Sequence, residues 1–263
     1  MRKILFIIFG CLILLSISCA EKKPETLRQL KESNPDYREA YIDYQKGVLL
    51  LKKKEYSMAV NFLQSAIKKE PKNAQYWNAL GLALSAMGEY EDAIDALNKA
   101  LELNPDLTDI HNTLGAIYTE LGDYDKALQE YGKVLKDKTY PTPYFVYFNI
   151  GLLKERQKKY EEAIVAFEQA VSLKKDFYRA YIPLAQLYYK RGRYADCLSA
   201  VKKAEKQFPN NEVLLLLEAK ANYMLNNYDE AKRILAKLSL LYPSEEVRAE
   251  MEKLKKLINL EEN

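Results

Sequence analysis

Histidine and tryptophan each occur once in 263 residues, cysteine three times, and glycine and proline nine times each. With so few thiols and one imidazole, no Cys/His group stands at metal-binding spacing. The glycines form no phosphate-cradling loop. An excess of one charge is also missing, since the formal net charge is only +3 and both signs are interspersed. That balance argues against nucleic acid as the main partner and fits a solvated helical surface. Scarce glycine and proline, set against abundant Ala, Leu, Lys, Glu and Tyr, favour helix over sheet. Hydrophobic residues make up 48% of the chain, enough for a packed core.

The N-terminus has its own pattern. Met1-Arg2-Lys3 precedes an almost wholly apolar run from Ile4 to Ile17, then Ser18-Cys19-Ala20. A positive start, a short apolar core and small residues at a boundary make an export signal. Fourteen apolar-run residues are short for a spanning helix, so a permanent transmembrane anchor is the weaker reading. The segment "LLSISCA" resembles a bacterial lipoprotein cleavage site, with Ser16 where that class usually has Leu. Cys11, after "IFG", resembles such a site too, behind a shorter apolar run. The resemblance implies a signal peptide over residues 1–18 and a lipid on Cys19, the mature N-terminus. Ala20 beside it resembles lipoproteins sorted to the outer membrane of a Gram-negative cell, facing the periplasm. Loss of Arg2 and Lys3 with the signal leaves 38 basic against 37 acidic residues. Cys197 is then the one thiol besides Cys19, so the exported part has no internal disulfide. Residues 19–35 carry little apolar content and read as a lipidated end and tether.

Beyond them the chain repeats. Six units begin at Ala40, Ala74, Thr108, Tyr144, Tyr178 and Glu212, spaced by 34 residues except for one interval of 36. The seventeenth residue is always tyrosine: Tyr56, Tyr90, Tyr124, Tyr160, Tyr194 and Tyr228. The eighth is always small (Gly47, Gly81, Gly115, Gly151, Ala185, Ala219), and the twentieth is alanine except for Cys197. Each unit predicts a helix hairpin. Gly88, Gly122 and Gly192 fall where a left-handed residue ends the first helix. Acids such as Glu91-Asp92 and Glu161-Glu162 open the second, and Pro71, Pro105, Pro209 and Pro243 follow its end. Small residues at positions 8 and 20 let the two backbones approach.

This is the pattern of a known repeat. "YWNALGLALSAMGEYEDAIDALNKALELNP" resembles the tetratricopeptide consensus almost position by position. The resemblance implies an all-α fold, a right-handed α-solenoid of six hairpins over residues 36–243 with a concave groove. Val247, Met251, Leu254 and Ile258 share one face in residues 244–263, predicting a capping helix and tail. Repeats and cap occupy residues 36 to 260 and leave no room for a catalytic domain. No catalytic, cofactor or metal residue is therefore assigned, and no small-molecule substrate is expected. His111 stands where Trp77 stands one unit earlier and reads as a packing residue, and Cys197 as a buried inert thiol.

In such repeats, positions 2, 5, 9, 12 and 13 of the first helix line the groove. The fourth unit then presents Phe145, Phe148 and Leu152, the first Tyr41 and Tyr44, and the second and third Asn78 and Asn112. An apolar strip in an open groove marks an interaction site, and an amphipathic helix would fit it. The alternative is that Phe145 and Phe148 fill space created by the two-residue insertion in "KDKTYPTPYFVYFNIG". Position 9 lacks the asparagine of repeats that clamp an acidic C-terminus, which excludes that chemistry.

A lipoprotein-like leader, a tether and six such repeats resemble the type IV pilus biogenesis/stability lipoproteins known as PilF or PilW. The lengthened Tyr140-Pro141 joint, the following Asn149-Ile150-Gly151-Leu152 and "LSLLYPSEE" are similar to segments of that family. The resemblance implies an outer-membrane pilotin that binds secretin subunits and promotes their assembly. A periplasmic scaffold for polysaccharide export or peptidoglycan enzymes remains an alternative. So does a non-catalytic subunit of a membrane enzyme complex.

Overall fold

A computed structural model describes residues 35–261. The expected signal peptide, Cys19 and the tether up to residue 34 lie outside the described residues. Pro35, the last residue of the expected tether, is already helical. Among the described residues there are thirteen helices and no strand. They pair as α1 (Pro35–Lys52) with α2 (Tyr56–Lys69), α3 (Ala74–Met87) with α4 (Tyr90–Leu103), and α5 (Thr108–Leu121) with α6 (Tyr124–Lys136). The series continues with α7 (Pro143–Arg156) and α8 (Tyr160–Leu173), then α9 (Tyr178–Lys190) and α10 (Tyr194–Ala204). The sixth pair is α11 (Glu212–Met224) with α12 (Tyr228–Ser239), and α13 (Glu245–Glu261) closes the array. The fold is an α-solenoid of six hairpins with a terminal helix.

One turn design serves all six hairpins. A left-handed residue stands one or two places beyond the end of each first helix: Gly88, Gly122 and Gly192, but also Lys54 (φ 63°), Lys158 (φ 59°) and Asn226 (φ 61°). The next residue's N–H reaches five residues back, as in Glu55 to Leu50 O (2.9 Å) and Lys159 to Lys154 O (2.9 Å). These bonds satisfy carbonyls that the helix end leaves open. The invariant tyrosine follows as the first residue of each second helix.

Within a hairpin, bulk on one helix answers absence on the other. A Cβ on Gly115 would stand 2.5 Å from the Tyr131 ring, and one on Gly151 would stand 2.6 Å from the Phe167 ring. Both rings are buried, so these glycines hold the space that the rings fill. In the fifth hairpin Ala185 occupies the glycine position, and the residue in the ring's place shrinks to Val201.

Between hairpins, first helices approach first helices: α1 meets α3, α3 meets α5, α5 meets α7, and α9 meets α11. No pair of second helices packs as closely, so the first helices line the inner, concave side. α7 and α9 pack less closely, and there the Phe148 and Phe177 rings fill the interval at 5.4 Å. The longer joint before α7 is packed down. Tyr140 is buried with Tyr131, Val134 and Val146, and its hydroxyl donates to Asp109 Oδ1 at 2.7 Å. Asp137 accepts from the Thr139 N–H and hydroxyl at 2.9 and 2.7 Å, and these bonds lower its carboxyl pKa. The space opened by the insertion is thus taken by Tyr140. At the far end Val247, Met251, Leu254 and Ile258 of α13 are buried against α11 and α12, with Leu215 and Leu238 in the same cluster.

Candidate partner-binding groove

The fourth hairpin places its apolar residues in two different environments. Phe145 is 37% exposed, and its ring meets Tyr144 at 4.7 Å and Phe177 at 4.9 Å. Phe148 is only 6% exposed, enclosed by Phe167 and Phe177, with the Arg179 guanidinium 5.5 Å above its ring. The expectation that both rings face the groove is corrected: Phe145 does so in part, while Phe148 is a packing residue. Its partners come from α8 and from the joint before α9, and the register alone did not predict that Phe177 would fold over it.

Leu152, one turn beyond Phe148, is half-buried and lines a cavity of about 340 Å³ between α5 and α7. Ala116, Leu152 and Asn149 form its walls, with Thr119 and Tyr131 beneath and Glu120, Glu155 and Arg156 around it. Thr119 donates to Gly115 O at 2.8 Å and its hydroxyl lies 3.4 Å from the Tyr131 hydroxyl. Burial pushes the Tyr131 phenol up to about 12, so this hydroxyl stays protonated at neutral pH. Arg156 donates to Glu120 at 2.6 Å across the two hairpins. Burial raises the Glu155 pKa, opposed by the charge of Lys190. Of these residues Leu152 was expected as a site residue, with Ala116, Glu155 and Arg156 at groove-lining positions of the register. Thr119 and Glu120 hold positions 12 and 13 of the third unit, while Asn149 and Tyr131 fall outside the groove-lining positions, and the register does not show them as one cavity.

Of the remaining expected residues, Tyr41, Tyr44 and Asn78 lie toward the N-terminal end, and Asn112 adjoins the cavity through Asn149. Tyr41 is 49% exposed, whereas Tyr44 is half-buried and stacks on Tyr76 at 4.9 Å. Asn78 is half-buried, and Asn112 accepts a hydrogen bond from Asn149 at 3.0 Å, linking the third hairpin to the fourth. His111 packs as expected in place but is also paired: its Nδ1 lies 2.7 Å from Glu130, which accepts from Lys133 at 2.7 Å. Cys197 is fully buried, and burial pushes its thiol up to about 12. Among the described residues no group of three or more His, Cys, Asp or Glu side chains could hold a metal ion. No described helix is long and apolar enough to cross a membrane.

The sequence pattern of the tetratricopeptide repeat matches residues 74–107 and again 96–129. That of the anaphase-promoting complex, cyclosome, subunit 3, matches residues 156–238. No curated protein sequence matches the chain. Among solved structures, the type IV pilus biogenesis factor PilW is 24% identical at a TM-score of 0.69, covering 80% of this chain and 97% of its own. PilF of Pseudomonas aeruginosa is 22% identical at 0.71, covering 85% and 99%. The Cut9–Hcn1 hetero-tetramer of the anaphase-promoting complex is 16% identical at 0.66, covering 86% of this chain and 44% of that one. The chain therefore carries tetratricopeptide repeats, a scaffold for protein–protein contact, and resembles the pilus biogenesis structures in fold.

Proposed function

We propose that this chain is a pilotin-like lipoprotein of the outer membrane, facing the periplasm and anchored through Cys19. It captures a secretin subunit of the type IV pilus in its concave groove and promotes multimer assembly. The observation that carries the reading is the inner face of the fourth hairpin, where exposed Phe145 and half-buried Leu152 offer apolar surface beside a packed joint. Likeness to two pilus biogenesis structures over nearly their whole length supports the choice of partner. The lipoprotein-like leader supports the place of work. In this reading the repeats bind and orient, and no catalytic step is assigned to them.

The lipid has a defined role here: it confines the groove to the membrane where secretin multimers must form. A Cys19→Ser variant should leave the membrane fraction and lose secretin multimers together. Normal multimers alongside a soluble variant would overturn the mechanism.

A further inference from the structure

We infer that the cavity between α5 and α7 receives a lysine or arginine side chain of the protein partner, its stem against Leu152 and Ala116 and its cation on Glu155. The inference rests on the groove reading above and adds the chemistry of one contact. Its basis is an imbalance among the lining residues. Two carboxylates, Glu120 and Glu155, face one guanidinium, Arg156, and that guanidinium is already committed to Glu120 at 2.6 Å. The next cation on the same face, Lys190, is committed elsewhere: it donates to the Tyr160 hydroxyl at 2.7 Å and lies 3.9 Å above that ring. Lys154, adjacent in sequence, pairs with Glu162 at 2.6 Å. Among the described residues Glu155 makes neither an ion-pair contact nor a hydrogen bond, the Lys190 charge acting on it only from a distance, and it is half-exposed.

A carboxylate held partly out of water with no cation in contact is disfavoured unless something supplies one. The surrounding surface suits a long basic side chain better than a free ion. Leu152 and Ala116 are apolar and would be wasted on a hydrated cation, whereas a lysine or arginine stem packs on such surface while its head stays polar. About 340 Å³ is room for one such side chain, not for a helix, so the partner's backbone would run over the rim past Phe145.

The test uses the full chain and two small probes, Nα-acetyl-arginine amide and its neutral isostere Nα-acetyl-citrulline amide. Amide NMR shifts should move saturably at Ala116, Leu152 and Glu155 with the arginine probe and not with citrulline. Glu155→Gln should weaken the arginine response about fivefold or more, in keeping with loss of a charge-assisted contact. Glu155→Asp, which keeps the charge and withdraws it, should fall between. Equal responses to both probes, no response at these amides, or an unchanged response in Glu155→Gln would overturn the cation pocket. If secretin assembly still failed in a Phe145→Ser strain, the groove reading would stand without it.

Discussion

Lys54 and Lys158 hold a left-handed backbone that glycine holds at Gly88, Gly122 and Gly192. A Cβ in that region costs roughly 1–2 kcal/mol, part of which glycine returns through its larger unfolded-state entropy. Lys54→Gly and Lys158→Gly should therefore each stabilise the chain by about 0.5–1 kcal/mol in urea unfolding. Phe148→Ser should do the reverse, costing on the order of 3–5 kcal/mol, because the ring is enclosed by Phe167 and Phe177. Loss of function in that variant would report folding, so Phe145 and Leu152 are the residues to change when binding is the question. Glu155 and Glu218 give a pH signature. Burial raises both carboxyl pKa values above the ordinary 4.5, with Glu205 and Glu230 adding to the shift at Glu218. Each group binds its proton more tightly folded than unfolded, so stability falls as pH rises above 4.5 until the folded value is passed. Relative to Glu155→Gln or Glu218→Gln, the natural chain should lose stability as the pH is raised from about 4 to about 7. Melting curves at the two pH values check the convergence at the acid end.

At the scale of elements, the repeat register was legible because hairpin packing constrains a few positions absolutely. Positions 8 and 20 must be small, and the tyrosine at 17 starts every second helix, so periodicity alone located six hairpins. Three of the six left-handed turns were missed because lysine and asparagine occupy them, although the same register marks their position. The burial of Phe148 was not legible either. It depends on Phe177, a residue 29 positions away whose direction is set by how α7 and α9 diverge. The cavity at Leu152 escaped for the same reason, since it forms between units and the repeat describes one unit at a time. The terminal helix α13 follows from its apolar face and is fixed by Lys220 to Glu250 at 2.9 Å. Leu254→Ala should cost about 2–5 kcal/mol and raise hydrogen exchange first in α11 to α13, leaving α1 to α4 protected longer. Uniform loss of protection along the chain would contradict that order.

For the whole molecule, stacked hairpins give a concave surface whose character changes along its length. Exposed Tyr41 and half-buried Asn78 lie toward one end, Phe145, Leu152 and Glu155 near the middle, and exposed Val213 and Met224 toward the other. Such a surface suits an elongated protein segment, and the Tyr140 joint between the two halves is packed down. The central claim is that the fourth hairpin's inner face captures a secretin subunit. Secretin multimers and monomers should be quantified in cells producing the Phe145→Ser, Leu152→Ser double variant, with its membrane content and helicity matched to the natural chain. The account predicts that monomer accumulates and multimer is largely lost; an unchanged multimer fraction would contradict it.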